Sequence, residues 1–173
     1  MRRIRQPTPG HVAFAVIAAL LVYRYAVSIS GEPYGKQRRE KDVTVAWVLD
    51  GDTFETDSGE RVRLLGIDAP EVAHHDQEEE PFGDESTAWL RQQISGGVVT
   101  LRMGAEETDR YGRTLAWVYT ADGTLINQLA LSTGQAKLLD RFGLPLDLEP
   151  GLRKAAAQAR IQNIGLWAAD QRH

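Results

Sequence analysis

Residues 43–67 read VTVAWVLDGDTFETDSGERVRLLGI, and this stretch decides the fold. β-Branched and apolar residues dominate 43–49, 53–56 and 61–67, and such runs predict short strands. A Ser58-Gly59 pair separates the second run from the third and predicts a tight turn. The sequence therefore predicts three consecutive antiparallel strands joined by short connections.

The third predicted strand has two distinct faces. Val62 and Leu64 alternate with Arg61 and Arg63 along it. Because successive side chains of a strand point to opposite faces, Arg63 is predicted to face away from the side that holds Val62 and Leu64. The strand thus carries a guanidinium opposite its apolar face.

The remainder of the chain adds helices and further strands. Hydrophobic spacing and terminating glycines predict helices over 82–94, 125–131 and 149–162, strands over 98–103, 114–120 and 136–139, and polar loops over 68–81 and 104–112. The residues expected to pack inward from the helices and the tail are Ala88, Leu90, Ile94, Leu152, Ala156, Ala159, Ile161 and the pair Leu166-Trp167. This order favours a mainly β fold with helices, a five-stranded Greek-key barrel of the OB type with about three packed α-helices.

Composition describes an ordinary folded domain. With 173 residues, 42% of them hydrophobic and 25% charged, the chain can bury a core and is not a disordered sequence. The absence of cysteine excludes a disulfide scaffold, a thiolate zinc site and a cysteine nucleophile. The formal net charge of -4, taken alone, argues against a protein that binds polyanions, because such domains are usually basic.

The net charge conceals an uneven distribution. Residues 1–28 contain four arginines and no acid, whereas residues 71–85 contain seven acids and no lysine or arginine. Outside these two segments, 16 basic residues face 17 acidic ones. The acidity is therefore local, and the average charge says little about the rest of the surface.

The N-terminal segment has the pattern of an export signal. Three arginines among residues 1–6 precede an apolar run over 12–23, and Arg24 ends that run. Residues 26–28 offer a tolerable cleavage site, while the run falls short of the roughly 20 residues that span a bilayer. Residues 1–30 are therefore predicted to be a signal peptide or a membrane anchor. A buried first helix is disfavoured because no polar face accompanies the run.

Three segments follow from this interpretation. After residues 1–30, a polar linker is predicted over 31–41 and the folded domain over 42–169. The protein is expected to be exported: secreted, periplasmic or anchored in the membrane through residues 12–29, with the folded domain outside the cytoplasm. No heptad seam or large apolar stripe requires a protein partner, so a monomer is expected.

Two acidic segments follow predicted strands. They read Asp50-Gly51-Asp52-Thr53 and Asp68-Ala69-Pro70-Glu71. Asp52 and Asp68 together can bind Ca²⁺ or Mg²⁺ directly, with backbone carbonyls and waters completing the shell. The alternative is that the first segment is only a turn. The second carboxylate segment, which follows a strand that bears an arginine, favours the metal site.

Basic and aromatic residues supply a second element. Arg110-Tyr111-Gly112-Arg113 stands just before a predicted strand, and Arg63 lies on another. Guanidinium groups bind phosphate in a bidentate manner, and an aromatic ring among them can stack on a base or pack on a sugar. The alternative is two solvated arginines and a core tyrosine. Combined with two aspartates and Glu71, the set suits attack of water on a phosphodiester.

Five segments, in order, carry a resemblance to a known family. They are VLDGDT from residue 48, RLLGIDAPE from residue 63, FG-x-ES from residue 82, DRYGR followed by LAWVY from residue 109, and LRK through GLW over 152–167. Over residues 43–167 the chain resembles the staphylococcal nuclease, or thermonuclease, family. The resemblance implies an OB-fold barrel that hydrolyses DNA and RNA with Ca²⁺ and leaves 3′-phosphates.

The resemblance also implies a role for each matching residue. Asp52 and Asp68 are implied as carboxylate ligands of Ca²⁺, and Ala69 as a ligand through its backbone carbonyl. Ala69 stands where the family has a hydroxyl residue, a change that leaves the carbonyl available. The remaining implied roles are Glu71 as general base, Arg63 and Arg113 on the scissile phosphate and its transition state, and Arg110 and Tyr111 on a neighbouring phosphate.

Two other functions remain open, although retention of every implied catalytic side chain favours the enzyme. One is a catalytically weak module of this fold that binds single-stranded nucleic acid or protein. The other is a membrane-bound structural protein whose work lies in residues 1–30.

The acidic run beside the proposed site has three interpretations. It contains His74, His75, Asp76 and Glu78–Glu80. It can repel excess polyanion and narrow the substrate to short or single strands, so single-stranded DNA or RNA is the favoured partner. It can form an extra cation site, since carboxylates and imidazoles can share a metal. The favoured interpretation is a solvated loop without a specific role.

Overall fold

Seven β-strands are present in the computed structural model, which describes residues 39–72 and 80–169. In chain order they are β1 (Glu40–Asp50), β2 (Thr53–Thr56), β3 (Arg61–Leu64), β4 (Ile67–Asp68), β5 (Val98–Thr108), β6 (Thr114–Thr120) and β7 (Lys137–Leu138). Five of them close into a barrel in the order β1-β2-β3-β6-β5, while β4 and β7 form a separate two-stranded sheet.

The pairing within the barrel confirms the predicted Greek-key barrel of the OB type. Strand β1 pairs with both β2 and β5, which closes the barrel. All pairs in the barrel are antiparallel except β3 with β6, which run parallel. The parallel pair places the end of β3 beside the beginning and middle of β6, and the site described below depends on this.

The core lies inside the barrel and beneath the helices. Phe54 and Val62 are fully buried and Leu64 is almost so, whereas Arg63 between the last two keeps some exposure. This alternation confirms that Arg63 faces away from the apolar side of β3. Burial of such side chains contributes roughly 1.5–3 kcal/mol each, so the barrel interior is the main source of stability.

The third strand is shorter than predicted. A continuous strand over 61–67 is wrong, because the chain turns at Leu65-Gly66 and resumes as β4. Gly66 has φ 70°, and a Cβ atom there would lie 2.6 Å from Cη2 of Trp117. Only glycine adopts this conformation without strain and leaves room for the indole. The turn sends Asp68 away from the barrel wall and towards Arg63.

Two strands are longer than predicted. Strand β5 continues five residues past Met103, since Thr108 still pairs with Thr114 of β6. The loop predicted over 104–112 is therefore mostly strand. Strand β1 begins at Glu40, which pairs with Arg102, so it includes the last two residues of the segment predicted as linker. Cross-strand hydrogen bonding extends both strands through polar sequence that lacks an apolar pattern.

Four helices surround the barrel in the described part of the chain. They are α1 (Gly83–Ile94), α2 (Ile126–Ser132), α3 (Glu149–Ile161) and the single turn α4 (Leu166–Ala169). The first three have the predicted bounds to within one residue at each end. Helix α2 packs against both α3 and β6, which ties the C-terminal half of the chain to the barrel.

The inner face of α1 differs from the prediction. Leu90 and Ile94 are buried as expected, but Ala88 is exposed. Ser86 and Thr87 are buried in its place. Ser86, Leu90 and Ile94 are spaced by four residues and share one face of the helix, whereas Ala88 lies on the face opposite Leu90. The buried Ser86 hydroxyl donates a hydrogen bond of 2.8 Å to the carbonyl oxygen of Gln135.

The last two helices also depart in part from the prediction. Leu152 and Ala159 are buried, with Ala155 joining them, but Ile161 is 79% exposed at the end of α3. The helix stops one residue before the predicted end, and Ile161, nine residues after Leu152, lies on the opposite face of the helix. Leu166 is buried, and its amide donates to the Gly134 carbonyl oxygen at 2.9 Å. Its predicted folding back is confirmed.

The predicted export segment lies outside the described residues. This applies to residues 1–30, to the proposed membrane contact over 12–29 and to most of the linker. Among the helices that the structure describes, none is both long enough and apolar enough to span a bilayer. His74, His75, Asp76, Glu78 and Glu79 also fall outside the description.

Candidate active site

The predicted site residues gather at one end of the barrel. Asp52 lies in the turn between β1 and β2, Arg63 lies on β3 and Asp68 ends β4. Thr53 pairs directly with Arg63 across β2 and β3, so the residue before it, Asp52, is placed beside the guanidinium. Barrel register, rather than proximity in sequence, thus assembles this part of the site.

Arg63 bridges the two aspartates. Its Nη1 forms an ion pair with Oδ2 of Asp52, and its Nη2 donates to Oδ1 of Asp68 at 3.0 Å. The Arg63 side chain is 13% exposed and Asp68 is 57% exposed, whereas Asp52 is buried. The guanidinium is therefore held from both sides just below the protein surface, in a fixed orientation.

Asp52 is the most deeply placed carboxylate of the site. Its Oδ2 accepts the Ala69 amide at 2.9 Å, and its Oδ1 accepts the Thr53 hydroxyl at 3.1 Å. Burial raises its pKa well above the ordinary value, and the charge of Arg63 only partly opposes this. An additional positive charge at Asp52 would therefore be stabilising.

Asp50 has the turn role that sequence reasoning kept as an alternative. Its Oδ1 accepts the Asp52 amide at 2.9 Å, which closes the turn between β1 and β2. The negative charge of Asp50 also raises the pKa of both Asp52 and Glu71. It is thus a structural residue that adds negative charge to the site.

Glu71 is half-buried near the same group of carboxylates. Burial raises its pKa from the ordinary value, Asp50 raises it further, and Arg63 opposes the shift. The charges of Asp68 and Glu80 also contribute to the raised pKa. The Glu80 amide donates to the Glu71 carbonyl oxygen at 3.0 Å, which fixes the backbone at this point. A raised pKa is the shift that a carboxylate general base needs.

The second predicted arginine is held within a single turn. The Nε of Arg113 donates to Oδ2 of Asp109 at 2.7 Å. The amides of Tyr111 and Arg113 donate to Oδ1 of the same aspartate at 2.9 and 3.0 Å. Burial raises the pKa of Asp109, but the hydrogen bonds from Arg113 and Tyr111 outweigh it and hold the pKa below its ordinary value.

Sequence reasoning missed Asp109 as a member of the site. The sequence motif predicts roles for Arg110, Tyr111 and Arg113 but none for Asp109, which anchors the turn and orients Arg113. The sequence does contain a turn signal, because aspartate is favoured at the first position of a four-residue turn and glycine at the fourth. Asp109 and Gly112 occupy those two positions. Gly112 has φ 78°, which closes the turn.

Tyr111 and Arg110 lie on the exposed side of this turn. Tyr111 is 68% exposed, so the alternative of a core tyrosine is wrong. The guanidinium carbons of Arg110 and Arg113 lie 4.7 and 5.5 Å from the centre of its ring. Two guanidiniums therefore lie against one exposed aromatic ring, a combination of basic and aromatic side chains that is typical of nucleic-acid-binding surfaces.

A cavity lies between Arg113 and the turn that carries Asp52. Its volume is about 330 Å³, and Leu49, Asp50, Thr53, Arg61 and Arg113 line it. Arg113 thus reaches the same space as the turn that carries Asp52. The structure brings Asp52, Arg63, Asp68 and Ala69 into direct contact, with Glu71 coupled by charge and Arg113 at the adjoining cavity.

Comparison with known proteins identifies the family. A family model described as "Staphylococcal nuclease homologue" matches residues 61–169, well over half of the chain. The chain belongs to this family. A thermonuclease of Staphylococcus intermedius is 29% identical over 172 residues, which cover 95% of this chain and 99% of that protein.

Two endonucleases are also similar to this chain. An uncharacterized endonuclease of Escherichia coli O157:H7 is 36% identical over 127 residues, 72% of this chain and 75% of that protein. Endonuclease YhcR of Bacillus subtilis (strain 168) is 31% identical over 133 residues, 69% of this chain but only 11% of that much longer protein. The matched region thus makes up three quarters of the first protein and about a tenth of the second.

The donor set of this family member fits a hard cation. Asp52 and Asp68 both direct an oxygen at the single guanidinium of Arg63, so the two carboxylates converge on one positive charge. Asp50, Asp68 and Glu80 all raise the pKa of Glu71, which indicates surplus negative charge. Within residues 39–72 and 80–169, however, no three acidic or imidazole side chains form a metal-ligand cluster. A cation there would need backbone or water oxygens as well.

Proposed function

We propose that this chain is a Ca²⁺-dependent nuclease that hydrolyses phosphodiester bonds of DNA, RNA or both and leaves 3′-phosphates. The coarser part, a hydrolytic nuclease, is supported by membership of the family and by relatives that are nucleases. The finer part is supported chiefly by one observation: Arg63 lies between two carboxylates, beside a third whose pKa is raised. Acids and guanidiniums then surround one point where a phosphate can bind.

Glu71 is proposed as the general base. Its carboxylate takes a proton from a water molecule while the water oxygen forms a bond to phosphorus. The bond from phosphorus to the 5′ oxygen breaks, and that oxygen receives a proton from solvent, because an arginine holds its protons too tightly to be a good acid. Burial and the neighbouring acids raise the pKa of Glu71, which strengthens it as a base.

Arg63 and Arg113 are proposed to bind the scissile phosphate. Both guanidiniums are oriented before substrate arrives, Arg63 by two aspartates and Arg113 by Asp109. Preorientation matters because the groups then stabilise charge that develops on the phosphate oxygens without having to rearrange. Arg110 and Tyr111 are proposed to hold a neighbouring phosphate.

Asp52, Asp68 and the Ala69 carbonyl are proposed to hold Ca²⁺. Bound there, the cation would offset the charge of the phosphate oxygens and lower the pKa of a nearby water. The Ala69 amide already donates to Asp52, which fixes the position of residue 69 next to the carboxylate. Each aspartate contacts Arg63 through one carboxylate oxygen, so its other oxygen can face the cation while Arg63 stays oriented.

The cellular setting is proposed on the N-terminal sequence. Residues 1–30, as a signal peptide or anchor, would export the domain to the periplasm, the membrane surface or the medium. The expected partner is single-stranded DNA or RNA, and the expected state is a monomer. The test is the location of the full chain in fractionated cells compared with a chain in which the three arginines of residues 1–6 are replaced.

The activity is tested with single-stranded DNA and the purified full chain. We expect Ca²⁺ to support degradation, excess chelator to abolish it, and Glu71→Gln to lower it by at least about a hundredfold. Glu106→Gln, which neutralises an exposed acid on β5, is the matched control and should cleave like wild type. Equal and slow degradation by wild type and Glu71→Gln would refute the enzyme, and tight binding without cleavage would favour the weak binding module instead.

A further inference from the structure

Arg61 is a third guanidinium at this end of the barrel, and none of the roles above uses it. It lies two residues before Arg63 on β3, so both side chains project from the same face of the strand. It also lies beside Arg113: Val62 pairs with Thr114 in the parallel β3–β6 ladder, which places the preceding residue of each strand side by side. Arg61 and Arg63 on β3 are therefore next to Arg113, which immediately precedes β6.

The three arginines differ in how firmly they are held. The Arg63 side chain is 13% exposed and that of Arg113 is 30% exposed, each with a carboxylate partner within 3.0 Å. The Arg61 side chain is 64% exposed, and its Nε lies 3.6 Å from Oε2 of Glu55, directly opposite on β2. That separation is too long for a good hydrogen bond. Arg61 is the least engaged and most accessible of the set.

The accessible guanidinium of Arg61 lines a cavity that it shares with Arg113 of the proposed site. Arg61 and Arg113 line the same cavity of about 330 Å³, together with Asp50 and Thr53. A strand whose scissile phosphate is bound by Arg63 and Arg113 would continue past this cavity. An exposed arginine there meets the next negatively charged group of the strand, for which a guanidinium is the preferred partner.

We propose that Arg61 binds a phosphate of the substrate next to the one at which cleavage occurs. This phosphate is additional to the neighbouring phosphate proposed for Arg110 and Tyr111. The role of Arg61 rests on the proposed nuclease function and specifies its substrate: a strand with phosphates on both sides of the scissile bond is bound more tightly than a single phosphodiester. Arg61 is a substrate-binding residue, and it takes no part in the chemical step. Glu55 holds it loosely until the phosphate replaces the carboxylate.

The test compares two substrates and four variants of the full chain. The substrates are a dinucleotide with one phosphodiester and a twelve-nucleotide single-stranded DNA. The variants are Arg61→Ala, Arg61→Lys, Glu55→Gln and, as a control that also removes one positive charge, Arg160→Ala on α3, a helix that packs against α2. Steady-state kinetics give kcat and KM at several salt concentrations, and thermal melting reports folding.

For Arg61→Ala we expect KM for the longer substrate to rise about threefold to fivefold, the upper part of the range for an exposed ion pair. The slope of log KM against log salt should become shallower by about 0.7, the value for one phosphate contact on a single strand. We expect kcat, the KM for the dinucleotide and the melting temperature to stay at wild-type values. Arg61→Lys should restore the salt slope, and Glu55→Gln should lower KM.

Three results would overturn the proposal. They are an unchanged KM and salt slope in Arg61→Ala, an equal loss with the dinucleotide, or the same effect in Arg160→Ala. Absence of cleavage by wild type would instead refute the nuclease function. The role of Arg61 is then still decided by fluorescence anisotropy of the labelled longer strand, in which Arg61→Ala must weaken binding and Arg160→Ala must not.

Discussion

Arg63 and Arg113 are proposed to act on the same phosphate, yet they are positioned in different ways. Arg63 contacts Asp52 and Asp68, which come from different elements and meet only because the barrel closes. Arg113 contacts Asp109, four residues earlier in the same turn. One arginine therefore depends on the register of the sheet, and the other depends on local backbone conformation.

The partners differ as much as the positions do. The carboxylates that hold Arg63 are the proposed calcium ligands, so binding of the cation and orientation of this arginine are linked. Both carboxylate oxygens of Asp109 accept hydrogen bonds, one from the Arg113 side chain and the other from two backbone amides. Asp109 belongs to no proposed metal site. We infer that calcium changes the environment of Arg63 and leaves that of Arg113 nearly as it is.

The largest expected effect comes from removing either arginine. Arg63→Ala and Arg113→Ala should each lower kcat by about a hundredfold to a thousandfold, since each removes a preoriented partner of the transition-state charge. The calcium concentration for half-maximal activity should change in Arg63→Ala only. Calcium titrations of the activity of both variants measure this, and an equal change in the two would contradict the distinction between the two regions.

The next effect concerns a glycine of positive φ close to each arginine, Gly66 after Arg63 and Gly112 before Arg113. Gly66→Ala should lower the free energy of unfolding by about 2–4 kcal/mol, because it combines positive φ with a contact 2.6 Å from the Trp117 ring. Gly112→Ala has the same kind of φ but nothing within 4 Å, so about 1 kcal/mol is expected. Denaturant unfolding of both variants measures the difference. Equal losses of unfolding free energy would mean that the packing of Trp117 against Gly66 is loose.

A smaller effect on catalysis is expected from the anchor of the second turn. Asp109→Asn keeps an oxygen for the backbone amides but loses the charge that orients Arg113, so kcat should fall about tenfold at most. Asp122 anchors a comparable turn between β6 and α2, through Thr120 and Thr124, and Asp122→Ala is the control. If both variants lost activity equally, general loss of stability would explain the result.

The two regions also differ in how far the sequence predicts them. Alternation with Val62 and Leu64 is enough to predict the outward direction of Arg63, because a strand has a period of two residues. It cannot predict that Asp52 lies beside Arg63, which requires the register of Thr53 with Arg63 and the turn at Gly66. Those depend on contacts between residues distant in sequence, such as Gly66 with Trp117.

The helices show a different limit. The apolar spacing predicts α1 and α3 as elements, but an apolar residue within a helix does not always lie on its inner face. Ala88 lies opposite Leu90 and Ile161 lies opposite Leu152, so both are exposed. The helical period alone is enough to exclude both from the core, whereas the burial of Ser86, whose hydroxyl binds the Gln135 carbonyl oxygen, requires the folded partner.

The smallest expected effects are opposite shifts of stability with pH in the two regions. The raised pKa of Glu71 means that the folded chain keeps a proton there at pH values where the unfolded chain has lost it, so ionised Glu71 opposes folding as pH rises. The lowered pKa of Asp109 has the opposite sign: it contributes stability at neutral pH, which is lost as pH falls through its folded value.

In chelator at neutral pH, Glu71→Gln should therefore melt slightly higher than wild type, by no more than about 2 °C, and Asp109→Asn should melt lower. Both differences should shrink in acid, where Glu71 and Asp109 become protonated in either state. Melting curves at neutral and acidic pH measure them. A lower melting temperature for Glu71→Gln at neutral pH would mean that the attraction of Arg63 for ionised Glu71 outweighs the cost of burying its charge. That result would contradict the surplus of negative charge that supports a cation site there.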